Sequence, residues 1–412
     1  MPTARSPHDP QSPVLQSPYA TARRLALQSR AREFARDRVL PVADQLDPQR
    51  AEMPVDLVED MAALGWFGIT VPVEQGGLGL GVLEYCLVSE ELARAWLSVG
   101  SILARGQGLG TQVLDAGRRA ELLGRSARGE WIGAIALSEP TAGSDLAGVR
   151  TRAVRDGDDW LFTGHKRWAG NALAADFVEV LARVGDPGQG ESRSAGLVPF
   201  LVVKERGTFP VGMTGQPIDK IGYHGFLTWD LHLNAVRVPD ADRLTGLYAD
   251  EGHADEDGFA AVQRGLNIAR VHTAARAVGV ARGAVEDCQV YLQEREQFGH
   301  PLADFQALRF ALADMAAQVE QARSFTHAVA HLLDEDVPCE GQAAMVKLLA
   351  SEMAVAVTGQ AMQLHGGNGY TTERRVERYW RDARLTTIFE GTSEIQRRII
   401  SDRMLPRERR RA

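Results

Sequence analysis

Several stretches of the chain combine residue types that can do chemistry. In TTIFEGTSEIQ, Thr386 to Gln396, Glu390 follows the apolar pair Ile388 and Phe389 and precedes Gly391. A carboxylate against an apolar wall is a general-base candidate, because desolvation moves carboxyl groups toward working pH. The same stretch also reads as a helix entry, since Ser393 and Gln396 have the capping-box spacing and acids are favourable near helix N-termini. LSEPTAGSD, Leu137 to Asp145, is a loop of small and hydroxyl residues. Its main-chain N–H groups and the Ser138 and Ser144 hydroxyls suit a flat heteroaromatic ring or a phosphate, or equally a plain Ser/Gly turn. In KRWAGN, Trp168 is either a stacking surface or a core residue. In REQFGHPLADFQ, Arg295 can grip a pyrophosphate and Phe298 can pack on an adenine, or the stretch is an ordinary helix–helix connection. The glycines of QLHGGNGYTTE allow close backbone approach to a ligand, or they cap a helix.

Bulk properties narrow the setting. The 412 residues predict roughly two to three domains of ~150 residues each. A composition of 44% hydrophobic and 24% charged residues is that of a globular chain. The net charge of −8 argues against a general nucleic-acid binder but leaves room for an anionic small ligand held by local arginines. The three cysteines, Cys86, Cys288 and Cys339, show no CxxC or metal spacing. They predict structural thiols in a reducing compartment: the cytoplasm, or the mitochondrial matrix in a eukaryote. No apolar run reaches the ~18 residues of a membrane span. No metal is expected. The Pro- and Ser-rich residues 1–19 read as a disordered leader without a signal core. Only four of the 46 basic residues are lysine, a bias from which composition alone yields no function.

The elements that must position these groups fall into three textures. Residues 20–130 read as helices. Phe34, Val39 and Leu40 share one helix that is expected to end at Pro41, and Leu57, Met61 and Leu64 mark another stopped by Gly65. The glycine-rich EQGGLGLG lacks GxGxxG spacing and a strand before it, which excludes a dinucleotide fingerprint. Over residues 131–245 the period becomes two, predicting strands in WIGAIALSE, GLVPFLVVKE and TWDLHLNAV and a hairpin around Asp156-Gly157. In TWDLHLNAV, Trp229, Leu231 and Leu233 point one way, so His232 is a solvent-facing strand residue. Residues 246–412 open with an acidic linker, Tyr248 to Gly258, and return to long helices. There Phe305, Leu308, Leu312, Met315 and Val319 form one apolar stripe. The fold class is α+β: an N-terminal helical domain, a middle β-barrel or sandwich domain and a C-terminal four-helix bundle.

Each motif is weak alone, but their order is specific. LSEPTAGSD, KRWAGN, KIGYHG, VRVP, REQFGHPL with its following FQ, QLHGGNGY and IFEGTSEIQ together resemble the acyl-CoA dehydrogenase family over about residues 25–405. The resemblance implies FAD as cofactor, an acyl-CoA thioester as substrate, electron-transfer flavoprotein as electron acceptor and a homotetramer or homodimer. It implies that Ile135, Leu137, Ser138, Gly143, Ser144, Trp168 and Gly170 line the flavin and its ribityl chain, with Ser144 also reaching CoA. Arg295, Gln297, Phe298, Gln306, Gln363, Gly366 and Gly367 would serve the FAD of a partner subunit, and Thr392 and Glu394 would touch flavin beside the base. Asn267, Arg270 and Gly391 would contact substrate. Glu390 would remove the α-proton while the β-hydrogen leaves as hydride to flavin N5. The family's alternative base position corresponds to Ala269, which leaves Glu390 as the one base. Arg105, in SILARGQGLG, falls in a helix region that lines the acyl pocket of relatives. It reads as a structural arginine or as an anchor for a branched or dicarboxylic acyl group.

Two departures from the family pattern carry expectations. Trp168-Ala169-Gly170 lacks the usual threonine hydroxyl near the flavin, and Glu394 replaces a commoner glutamine. The first is expected to alter flavin potential or oxygen reactivity, and the second, when ionised, to lower the potential. Rival readings on the same fold are an acyl-CoA oxidase, a flavin monooxygenase or a non-catalytic scaffold.

Overall fold

The computed structural model describes residues 18–111, 115–189, 191–244 and 258–405. The leader read over 1–19 lies outside them except for 18–19, and the acidic stretch 248–258 lies outside except for Gly258. Helix α1 (Ala22–Phe34) starts at Thr21, whose hydroxyl accepts the Arg24 amide. The expectation that this helix ends at Pro41 is overturned. A π-turn over Ala35–Val39 carries it into α2 (Leu40–Leu46), with Pro41 in the first turn. Proline lacks a donor and crowds the carbonyl four residues back. A wider turn just before it makes that room, and a first-turn proline needs no donor. Helix α3 (Val55–Ala63) buries Leu57 and Met61 and ends before Gly65, which adopts a φ of 74°. The region is completed by α4 (Val82–Ala95), α5 (Leu97–Ile102) and α6 (Ala116–Ala127).

Seven strands follow: β1 (Gly133–Ala136), β2 (Arg152–Asp156), β3 (Asp159–Gly170), β4 (Phe177–Arg183), β5 (Leu197–Val203), β6 (Met213–Pro217) and β7 (Thr228–Pro239). The long strand β3 pairs antiparallel with β2, with β7 and, at Gly170, with β1. Strand β4 runs parallel to β1, touches β2 at Arg183 and carries β5 on its other edge. Because β1 and β2 each bridge β3 to β4, the sheet curls around a core that includes Trp160, Phe162, Phe200 and Leu231. The alternation of β7 holds, with Trp229, Leu231 and Leu233 buried and His232 and Asn234 exposed. Strand β4 is buried along its whole length. A fully buried strand shows no period of two, so the alternation pattern passes over it.

Helix α7 (Gly258–Glu294) leads into a small ladder of β8 (Glu296–Gln297) and β9 (His300–Pro301), then α8 (Gln306–Asp334), α9 (Glu340–His365), α10 (Val376–Thr386) and α11 (Ser393–Met404). Helices α7 to α10 form the bundle, and α11 packs on α9. The stripe on α8 faces inward, with Met315 and Val319 buried. The two helical regions share one core: Trp66, Val88 and Leu92 lie in the same apolar cluster as Val278, Ala281 and Val357. Buried charges tie them further. Arg282 of α7 pairs with Glu90 and with Glu91 (2.9 Å) of α4, and Arg323 of α8 reaches Glu90 at 2.8 Å. Among the described residues no helix is long and apolar enough to cross a membrane, and the three cysteines are free and buried.

Candidate active site

Glu390 sits in the loop between α10 and α11. Its φ of 52° and the 88° of Gly391 place two successive residues in the left-handed region. At Gly391 a β-carbon would also stand 2.6 Å from Gln396 Nε2, so a side chain there would have to displace Gln396 as well as take a strained backbone, and the position favours glycine. Helix α11 begins one residue earlier than the capping-box reading placed it. Thr392 is the N-cap and its hydroxyl accepts the Ile395 amide at 3.3 Å. Gln396 does not return to the cap; its amide donates to the carbonyls of Glu390 (3.3 Å) and Gly391 (2.9 Å). Lys347 of α9, wholly buried, donates to the same Gly391 carbonyl at 2.7 Å. Burial pushes this ammonium down to about 8. The loop is therefore pinned through its carbonyls. The Glu390 N–H finds no acceptor among the described residues, which leaves it free to bind a ligand oxygen.

Around Glu390 stand cations and aromatic rings. Arg270 is buried on α7 and donates to Asn267 Oδ1 at 2.6 Å. Burial draws its guanidinium down from the usual range, and the charge of Glu390 opposes that. Phe389 lies 6.3 Å from the Tyr223 ring, which lies 5.1 Å from that of Phe226. Arg276 stacks over Phe389 at 4.8 Å and Arg105 over Phe226 at 5.5 Å. The Tyr223 amide is held by Asp382 of α10 at 2.6 Å.

The strand side brings the ring-binding candidates together. Ile135 pairs with Gly170 across β1 and β3. Ile135, Leu137 and Ser138 are half exposed, although Ala134, Ala136 and Glu139 beside them are buried. At a β-bulge Trp168 takes a φ of 70°, which turns its ring out of the sheet to 54% exposure, so it is no core residue. Among the described residues the one group stacked close on its ring is the Arg167 guanidinium, at 4.9 Å. The loop after β1 is anchored by a buried pair: Lys166 donates to Glu139 at 2.9 Å and to the Leu137 carbonyl at 3.0 Å. Glu139 in turn accepts the amides of Arg150 and Thr151. Gly143 and Ser144 are exposed beyond that anchor.

A second group gathers where the long helices turn. Arg295, Gln297, Phe298 and Gln306 follow α7, and Gln363, Gly366 and Gly367 end α9; all are exposed, Phe298 at 90%. Tyr291 joins the two segments, stacking on His365 at 4.2 Å and donating to its carbonyl at 3.2 Å. Among the described residues no hydrogen bond or ring contact links this group to the Glu390 loop or to β1 and β3. Glu394 is exposed and lies 3.6 Å from Arg397. On the outer sheet face His165 contacts Asp230 and stacks on His232 at 4.0 Å, while Arg167 takes the other Asp230 oxygen. Sequence reasoning missed Lys347, Arg276, Phe226 and Glu179. The first three carried no motif, and Glu179 hid in an unbroken buried strand.

Family signatures for the N-terminal, middle and C-terminal domains of acyl-CoA dehydrogenase match residues 21–130, 134–236 and 256–405. The (2S)-methylsuccinyl-CoA dehydrogenase of Cereibacter sphaeroides is 38% identical over 382 residues, covering 91% of this chain and 68% of its own. The structure resembles that of butyryl-CoA dehydrogenase from Megasphaera elsdenii, with a TM-score of 0.85 and 31% identity over 94% of this chain and 99% of that one. It also resembles glutaryl-CoA dehydrogenase from Mycobacterium smegmatis in complex with FADH2, with a TM-score of 0.84 and 27% identity over 95% and 97% of the two chains. With all three domains matched in order along the chain, the protein belongs to the acyl-CoA dehydrogenase family and is an oxidoreductase acting on acyl-CoA.

Proposed function

We propose that the protein oxidises an acyl-CoA thioester between its α and β carbons, with Glu390 as the base that takes the α-proton. One observation carries this most directly: a half-buried glutamate on a left-handed turn, with its own N–H unbound beside it. FAD is the family's cofactor, and when bound it takes up the β-hydrogen as hydride. The residues present fit it. An exposed tryptophan held out by a bulge, beside half-exposed Ile135, Leu137 and Ser138 and across from Gly170, offers a flat apolar surface for a ring.

Glu390 holds the proton at its carboxylate. Its N–H donates to the thioester oxygen, where negative charge grows as the α-proton leaves. Gly391 allows that close approach. Arg270 and Asn267 orient the substrate, and Ser144 contacts CoA. Arg105 enters as a substrate-side cation, half buried against Phe226. Thr392 and Glu394 would flank the flavin beside the base. Arg295, Gln297, Phe298, Gln306, Gln363, Gly366 and Gly367 form an exposed face set apart from Glu390, and this supports their serving the cofactor of a second subunit in a dimer or tetramer. Electrons pass on to an electron-transfer flavoprotein.

The test is anaerobic bleaching of the flavin by CoA thioesters. Glu390→Gln is expected to keep its yellow colour and to bleach ~10²–10⁴-fold more slowly. Bleaching at the wild-type rate would end the assignment of the base.

A further inference from the structure

Two arginines beside the ring strip that leads to Glu390 carry charge that no carboxylate pairs with among the described residues. Arg276 is 3% exposed, on α7. Its Nη1 donates to Ser101 Oγ at 2.7 Å and its Nη2 to Thr273 Oγ1 at 2.9 Å, while its Nε has no partner. No carboxylate forms an ion pair with it among the described residues. The other buried arginines are served differently. Arg282 and Arg323 pair with Glu90, and Arg378 with Asp44. Arg183 donates to four backbone carbonyls. Arg270 also makes no ion pair among the described residues, but it feels the charge of Glu390. Burying a guanidinium whose hydrogen-bond partners among the described residues are two hydroxyls is costly, and the cost falls when an anion arrives.

Arg105 repeats the pattern. It ends the short turn Leu103–Arg105 after α5, its Nε is buried without a partner, and it makes no ion pair among the described residues. Glu179 is the acid that feels its charge, but that carboxyl is itself buried and pushed up to about 7, so it is only a partial counter-ion at neutral pH. The two arginines flank one strip of rings, Phe226, Tyr223 and Phe389, whose last member precedes Glu390. Both also act on His272, which stacks on Tyr85 at 4.4 Å. Burial first, and then these two charges, hold His272 well below the usual imidazole range, so it stays neutral and adds no repulsion.

We propose that Arg105 and Arg276 form an anion subsite that binds the free carboxylate at the far end of a dicarboxylic acyl chain, while the thioester end lies at Glu390. This rests on the dehydrogenase reading above and names its substrate class. Guanidinium groups match a carboxylate through paired, charge-assisted hydrogen bonds. A site built around such a group rejects the analogue that lacks it, because its donors are then left buried and unpaired.

The experiment compares CoA thioesters of equal chain length on the FAD-loaded protein: succinyl with butyryl, glutaryl with pentanoyl and adipyl with hexanoyl. Bleaching rates give kcat/KM, and flavin spectral shifts in Glu390→Gln give Kd without turnover. In at least one pair the dicarboxylic thioester is expected to win by about 10–100-fold. Arg276→Gln is expected to erase about that preference, and Arg276→Lys to restore part of it. The wild-type ratios stand whether or not the variants fold. Equal or better handling of the monocarboxylic member in every pair would overturn the subsite, as would an Arg276→Gln protein that binds flavin and keeps the wild-type ratio. Selective binding of a dicarboxylic thioester without bleaching would uphold the subsite and sink the base. Bleaching without preference would sink the subsite alone.

Discussion

A β-carbon at position 170 would stand 2.4 Å from Phe226 Cε1 and 3.4 Å from Arg105 Nη2. The missing threonine is therefore tied to Phe226, whose ring fills the space that a side chain would need. Gly170→Thr alone is expected to cost about 1–3 kcal/mol through overpacking and to weaken flavin retention, read by thermal denaturation and by absorbance after gel filtration. Adding Phe226→Leu, which removes the ring edge but keeps an apolar side chain in the core, should relieve part of the clash. Unchanged stability of the single variant would refute the clash. The effect of the hydroxyl on flavin midpoint is best measured in the double variant, where it can enter with less strain. Glu394 is exposed and lies 3.6 Å from Arg397, and its effect on the flavin is read by comparing the midpoint of Glu394→Gln with that of the wild type.

At the scale of elements, the four lysines explain themselves. None is exposed, and each donates to backbone carbonyls. Lys166 holds the loop after β1, Lys220 the turn that carries Phe226, and Lys347 the Glu390 loop; Lys204 ties down the Leu173 and Ala175 carbonyls beside β4. Burial pushes all four down to about 8. An ammonium is a compact donor on a thin stem and reaches a carbonyl through a narrower gap than a planar guanidinium needs. Lys347→Arg is expected to destabilise by roughly 1–3 kcal/mol, a fall of several degrees in Tm, and to lower turnover by shifting the loop. A variant with unaltered Tm and turnover would show that α9 does not position Glu390.

For the whole molecule, the decisive feature is a β domain inserted in sequence between two helical regions that share one core. The proposed acyl subsite draws on all three regions: Arg105 comes from the first helical region, Phe226 from the middle domain, and Arg276 and Glu390 from the last. Burial, against the pull of Arg105, pushes the carboxyl of Glu179 on β4 up to about 7 from an ordinary 4.5. The folded protein thus keeps a proton that the unfolded chain gives up. The stability this carries is complete below about pH 4.5 and is lost as pH rises through about 7. Glu179→Gln has no such slope. Its Tm advantage over the wild type should grow between about pH 5 and 7 and then level off. Parallel Tm curves across that range would show that Glu179 is not buried as described.

Much was legible in the residues alone. The period-two stretch predicted β7 and the hairpin of β2 and β3, because a half-buried strand must alternate. The α8 stripe predicted a bundle helix, because one face must be apolar. The ordered motifs pointed to the family and to Glu390. Other features depended on neighbours distant in the chain. Pro41 continues its helix because a π-turn precedes it, and Thr392 rather than Ser393 caps α11 because Gly391 turns left-handed under Gln396. Arg276 lies mid-helix with no motif around it, and only its burial without an acid marks it out. Local periodicity and turn chemistry are written within a few residues and can be read there. Whether a buried charge has a partner is decided by chain segments more than a hundred residues apart, and only the tertiary structure brings them together.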